Sequence, residues 1–136
     1  MITVTEWNER GADKLPGYLG IVVTEVNENG AAVTLAVRPE HMAPNGYLHA
    51  GTVVTLADTA AGYACIANLP AGAQGFTTIE LKSNHLGTAR DGNLDCNSRI
   101  VHAGRTTQVW DSIVTHRESG KTIALFRCTQ LILYPR

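Results

Sequence analysis

Residues Pro44 to Ala67 read PNGYLHAGTVVTLADTAAGYACIA: a turn-rich polar loop, one histidine, then a long apolar run carrying a single carboxylate. From Ala50 to Ala67 the positions Val53, Val54, Leu56, Ala57, Ala60, Ala61, Tyr63, Ala64, Ile66 and Ala67 leave almost no solvated side, which predicts a buried helix. Asn68, Pro70 and Gly72 terminate it. Asp58 is out of place there, because a buried carboxylate is costly unless it is paired, hydrogen-bonded or kept protonated.

Outward from the helix the pattern changes to strands. Leu19 to Asn27 and Ala31 to Arg38 read as two strands joined through Glu28-Asn29-Gly30, a hairpin signal, after a short N-terminal segment compatible with helix. Beyond the helix, strand-like runs cover Phe76 to Leu86, Asn93 to His102, Thr106 to His116 and Thr122 to Tyr134. The turns at Asp91-Gly92, Ala103-Gly104 and Glu118-Ser119-Gly120 are short, which implies antiparallel neighbours. The count predicts an α+β domain spanning residues 1–136, with a curved antiparallel sheet of about six strands around one long central helix.

Composition narrows the classes of function. At 136 residues the chain fits one domain able to bury roughly two-thirds of its unfolded surface. Eleven Lys and Arg against twelve Asp and Glu, with no basic block, suggest neither a nucleic-acid nor a membrane partner. No stretch approaches the ~20 uninterrupted apolar residues that span a bilayer, and the N-terminus lacks a basic leader. Cys65, Cys96 and Cys128 are odd in number and far apart, so the expectation is a reducing cytoplasm without disulfides. His41, His49, His85, His102 and His116 show no metal-ligand spacing, and no G-x-S-x-G elbow is present.

Two features of the helix suggest a site. Gly51, Thr55, Asp58 and Gly62, spaced four, three and four, share one face, where small neighbours leave the carboxylate room for a ligand. At the N-terminus, the amides of Ala50 and Gly51 lack intrahelical partners and carry almost no side chain, so they can donate to a carbonyl oxygen. Eight residues at 1.5 Å each put ~12 Å between Ala50 and Asp58, too far for one carbonyl group to meet both. Two such helices antiparallel about a two-fold axis would instead set Asp58 of one subunit opposite the Ala50 and Gly51 amides of the other. The alternative is structural: Asp58 satisfies a backbone N–H or pairs with a cation such as Lys82, and His49 only hydrogen-bonds the backbone.

His49-Ala50-Gly51 and Asp58, with FTTIELKSNHL (Phe76 to Leu86), HAGRTT (His102 to Thr107) and GKTIAL (Gly120 to Leu125), resemble the hotdog-fold acyl-CoA thioesterases. The phenylacetate-pathway and 4-hydroxybenzoyl-CoA group is the nearest in pattern: Asn or Gln, then H-G-G, then Asp or Glu on the helix. The resemblance implies hydrolysis of a small, aromatic acyl-CoA, with Asp58 as base or nucleophile, the Ala50 and Gly51 amides polarising the carbonyl, and His49 and Asn45 shaping the loop. It implies no separate cofactor, coenzyme A being part of the substrate, and a functional homodimer pairing again into a homotetramer. Gly62, Tyr63 and Thr78 would line the acyl pocket; Arg105, Thr106, Lys82, Arg90 and Arg136 would meet the coenzyme A phosphates, Arg105 and Thr106 foremost.

The sequence departs from the pattern at three points. The first glycine of H-G-G is Ala50, Asn45 stands closer to the histidine than the usual amide residue, and Gly62 replaces a hydroxyl residue common one turn after the carboxylate. The last change predicts a wider pocket beside Tyr63. Two other functions use the same groove: a noncatalytic acyl-CoA-binding domain, and a hydratase or dehydratase with a differently ordered His and acid. The H-A-G-x6-D order disfavours the hydratase.

Overall fold

The computed structural model describes residues 1–136. Two short helices, α1 (Val4–Gly11) and α2 (Leu15–Leu19), precede strands β1 (Ile21–Asn27) and β2 (Gly30–Ala36). A 3-10 turn at Pro39–His41 leads to the long helix α3 (Ala50–Ala67), followed by β3 (Gly75–His85), β4 (Asn93–Ala103), β5 (Thr107–His116) and β6 (Thr122–Leu133). The strands form one antiparallel sheet in the order β1-β2-β4-β5-β6-β3. Since β2 and β3 stand on opposite sides of the sheet, α3 must cross its face to join them. This is the expected hotdog arrangement.

Boundaries shift where local chemistry overrides the strand pattern. Leu19 belongs to α2, which starts with Pro16 in its first turn and closes on Gly20 in the left-handed region (φ 84°), so β1 begins at Ile21. β2 starts at Gly30, one residue inside the expected turn. A side chain there would collide with the Ser98 carbonyl of β4, its Cβ falling 1.8 Å from the oxygen.

β4, β5 and β6 alternate buried and exposed residues, with one face on α3 and the other open. Register shifts in β1, β3, β4 and β6 mark bulges, which bend the strands around the helix. Leu56, Ala57, Ala60, Ala61, Ala64 and Cys65 of α3 are fully buried; their small side chains let the helix lie close on the sheet. With mean hydropathy 1.2 over 18 residues, α3 is as apolar as a membrane span, and those apolar groups go into the protein core.

Hydrogen bonds fix both ends and the middle of α3. The Gln108 amide donates to the Asn68 carbonyl at 2.8 Å while its oxygen accepts from the Trp110 indole. The buried Ser112 hydroxyl donates to the Ala57 carbonyl at 2.9 Å. His41, fully buried, accepts from the Arg38 N–H through Nδ1 and donates from Nε2 to the Leu19 carbonyl, and its own carbonyl receives the His49 N–H and the Thr52 hydroxyl. At the N-terminus Thr3 and Glu6 form a capping box on α1, and Asn8 bonds both backbone groups of Val23.

Candidate active site

Asp58 lies on the side of α3 that faces the β6-β3 edge of the sheet. Gly62, one turn on, directs its missing side chain at the Phe76 ring of β3, 3.2 Å from where a Cβ would stand. Asp58 itself is half-buried. Its Oδ1 is enclosed without any hydrogen-bond donor, and it takes part in none of the ion pairs, so neither Lys82 nor a backbone N–H neutralises it. Burial holds its carboxyl above the ordinary carboxylate value of 3.8. Cys128, on the inner face of β6, is pushed up to about 12 by its own burial and then by the Asp58 charge.

At the head of the helix His49 is the N-cap, and its Nδ1 accepts the Gly51 N–H at 2.7 Å. The Gly51 amide is therefore already engaged, which corrects the expectation of two free amides. The Ala50 N–H has no partner within the chain. With Nδ1 accepting, the neutral ring carries its proton on Nε2, at an exposed position. In the loop before the helix, Asn45 Oδ1 accepts the Tyr47 N–H at 3.1 Å around Gly46, whose φ of 87° needs glycine.

The acyl-pocket residues divide. Thr78 is on the inner face of β3 and donates to Gln130 at 2.7 Å. The space left by the missing hydroxyl at Gly62 is taken by Phe76 rather than widening the pocket. Tyr63 turns the other way, since five helical residues rotate it well away from Asp58. It stacks on Trp7 at 5.1 Å, its hydroxyl against Gly11. Tyr63 thus anchors α1 to α3.

The five candidate coenzyme A residues are exposed, and none of the four basic ones forms an ion pair. They sit at two ends of the sheet. Arg105 and Thr106 make the β4-β5 turn beside the C-terminal segment of Tyr134 and Arg136, whereas Arg90 stacks over Tyr47 next to the head of α3. Lys82, opposite Arg127, is on the outer face of β3. Ser112, His41 and Thr88, whose contacts place the helix and its loop, carry no signal of that role in the sequence. Each is an ordinary polar residue whose partner is distant in the chain.

A helix crossing a six-stranded antiparallel sheet defines a hotdog fold, and the orphan carboxylate on that helix with the free amide at its head is its candidate site. Residues 45–123 match the thioesterase superfamily. The 1,4-dihydroxy-2-naphthoyl-CoA hydrolase of Escherichia coli K12 is 30% identical over 135 residues, covering 97% of this chain and 96% of that protein. The acyl-coenzyme A thioesterase PaaI of the same organism is 33% identical over 109 residues, 80% of this chain and 75% of that protein. A thioesterase crystal structure from Haemophilus influenzae superposes with a TM-score of 0.91 at 26% identity, covering 98% and 92% of the two chains. The chain belongs to the thioesterase superfamily, and it is a thioester hydrolase of the hotdog acyl-CoA thioesterase family.

Proposed function

We propose that the chain hydrolyses a small aromatic acyl-CoA to the free acid and coenzyme A, in sites shared between two subunits. The observation that carries this is the Asp58 carboxylate, enclosed and unpartnered, two turns down the helix from the unpartnered Ala50 N–H. The ~12 Å of helix between them excludes a single thioester carbonyl from meeting both within one subunit.

A second subunit supplies the missing half. β3 is an eleven-residue edge strand with Ile79 and Leu81 exposed at 57% and 44%, the type of edge that pairs with another chain. Pairing β3 with its own copy about a two-fold axis lays two α3 helices antiparallel on one side, with Asp58 across from the partner's Ala50 N–H. The same symmetry brings the Arg105, Thr106 and Arg136 end of one subunit to the Arg90 and Lys82 end of the other. That pairing supports a common basic rim for the coenzyme A phosphates. A dimer of such dimers and a cytoplasmic location remain part of this reading.

In the shared site the Ala50 N–H and the His49 Nε2–H donate to the thioester oxygen, where negative charge develops. Asp58 of the other subunit takes a proton from the attacking water, or itself attacks the carbonyl carbon to give an anhydride that water then opens. In both routes the carbon–sulfur bond breaks, the thiolate leaves and is protonated, and water supplies the oxygen of the new acid. The names of relatives acting on a dihydroxynaphthoyl thioester support an aromatic acyl group.

The test is thiol release over a panel of aromatic and aliphatic acyl-CoA substrates, for wild type and Asp58→Asn. Turnover should be highest on aromatic thioesters and should fall by about 10²–10⁴-fold in the variant, with coenzyme A affinity retained. Wild-type turnover in Asp58→Asn would overturn the assignment.

A further inference from the structure

Leu48, the residue before His49, is 8% exposed, and its N–H donates to the Thr88 hydroxyl at 3.0 Å. Thr88 lies forty residues further along the chain, in the β3-β4 loop (residues 86–92), outside the H-A-G-x6-D motif.

That loop is braced along its length. The Ile123 carbonyl accepts the Leu86 and Gly87 N–H groups at 2.8 and 3.2 Å, and Ala89 is buried. The Asp91 carbonyl lies 3.0 Å from His116 Nε2, and Asn93, just beyond the loop, donates twice to Glu118, each time at 2.8 Å. The facing segment is closed by bonds from Ala43 N–H to the Tyr47 carbonyl and from His49 N–H to the His41 carbonyl, at 2.7 and 3.0 Å. Arg90 stacks over Tyr47 as a second contact between the two, 6.0 Å from the ring centre.

We propose that Thr88 is a positioning residue for thioester hydrolysis: held by the braced loop, its hydroxyl fixes Leu48 and so aims the Ala50 N–H and the His49 ring at the thioester oxygen. The inference rests on the reading of Ala50 and Asp58 given above. Donors to a developing oxyanion act through alignment, so a loosened Leu48 weakens transition-state contacts more than substrate binding.

Thr88→Val keeps the shape and removes the acceptor; Thr88→Ser restores it. Thr88→Val should lower kcat by about tenfold with KM little changed, and Thr88→Ser should recover most of the loss. If Thr88→Val is unfolded at the assay temperature, Thr88→Ala takes its place beside Thr88→Ser. Wild-type kcat without the hydroxyl overturns the proposal, as does a serine variant as impaired as the valine one, or a loss confined to KM. Asp58→Asn is assayed alongside. If it stays active, the reading of the site fails; if it is inactive while Thr88→Val is normal, only the role of Thr88 fails.

Discussion

The Ser112 hydroxyl donates to the Ala57 carbonyl at 2.9 Å, and this buried bond fixes α3 on β5 one residue before Asp58. A helix turns by about 100° per residue, so a roll of the helix at Ala57 would swing Asp58 away from the β6-β3 edge of the sheet. Ser112→Ala should cost about 1 kcal/mol in urea unfolding and lower kcat several-fold. A variant destabilised to that extent with unchanged kcat would separate helix anchoring from placement of the carboxylate.

Burial raises the Asp58 carboxyl, which sets two pH effects of opposite kind. In the proposed mechanism turnover needs the ionised form, so the acid limb of kcat against pH should fall above the ordinary value of 3.8. For stability, the unfolded chain loses this proton near 3.8 while the folded chain keeps it longer. Stability therefore declines as pH rises through the window from 3.8 to the raised folded value, and the cost persists at neutral pH. Asp58→Asn should melt a few degrees higher than wild type at pH 7. A lower melting temperature would mean that the carboxylate is stabilised by contacts.

The shared site can be tested by complementation. Ala50→Pro removes the amide donor at the first helical position, where proline is accommodated, and His49 already has the extended backbone (φ −65°, ψ 129°) that a following proline requires. Mixing Ala50→Pro with Asp58→Asn subunits, each inactive alone, should recover about a quarter of wild-type activity: half of the dimers are mixed, with one intact site of two. No recovery, with mixed dimers demonstrated by mass, would place both groups of each site in one subunit.

The edge strand gives a fourth expectation. A charge in the middle of β3 opposes pairing with another copy, so Ile79→Lys should shift the protein to monomers in sedimentation and abolish turnover. An active monomer would contradict a site that needs two chains.

The apolar run from Ala50 to Ala67 and the strand-like runs on either side of it, two before and four after, were enough to define one buried helix and six antiparallel strands, because periodicity reports burial directly. The same stretch exposed Asp58 as an anomaly, since a carboxylate among alanines conflicts with the cost of burying charge. Fixed helical rise then separated it from Ala50 without any coordinates.

Other features depended on contacts between residues distant in sequence, which periodicity does not encode. Tyr63 packs on Trp7 because the N-terminal helix folds back onto α3, and Phe76 fills the gap at Gly62 because β3 closes the far edge of the sheet. The Gly51 amide is occupied because the His49 ring turns back over its own helix; spacing alone could not specify that rotamer. Ser112, His41 and Thr88 orient the helix and its loop through hydrogen bonds across 55, 22 and 40 residues. The sequence by itself determined the helix, the strands and the isolated carboxylate. The tertiary structure decided which way the carboxylate faces, which amide is left free to donate and what braces both, because those properties belong to pairs of residues that meet only on folding.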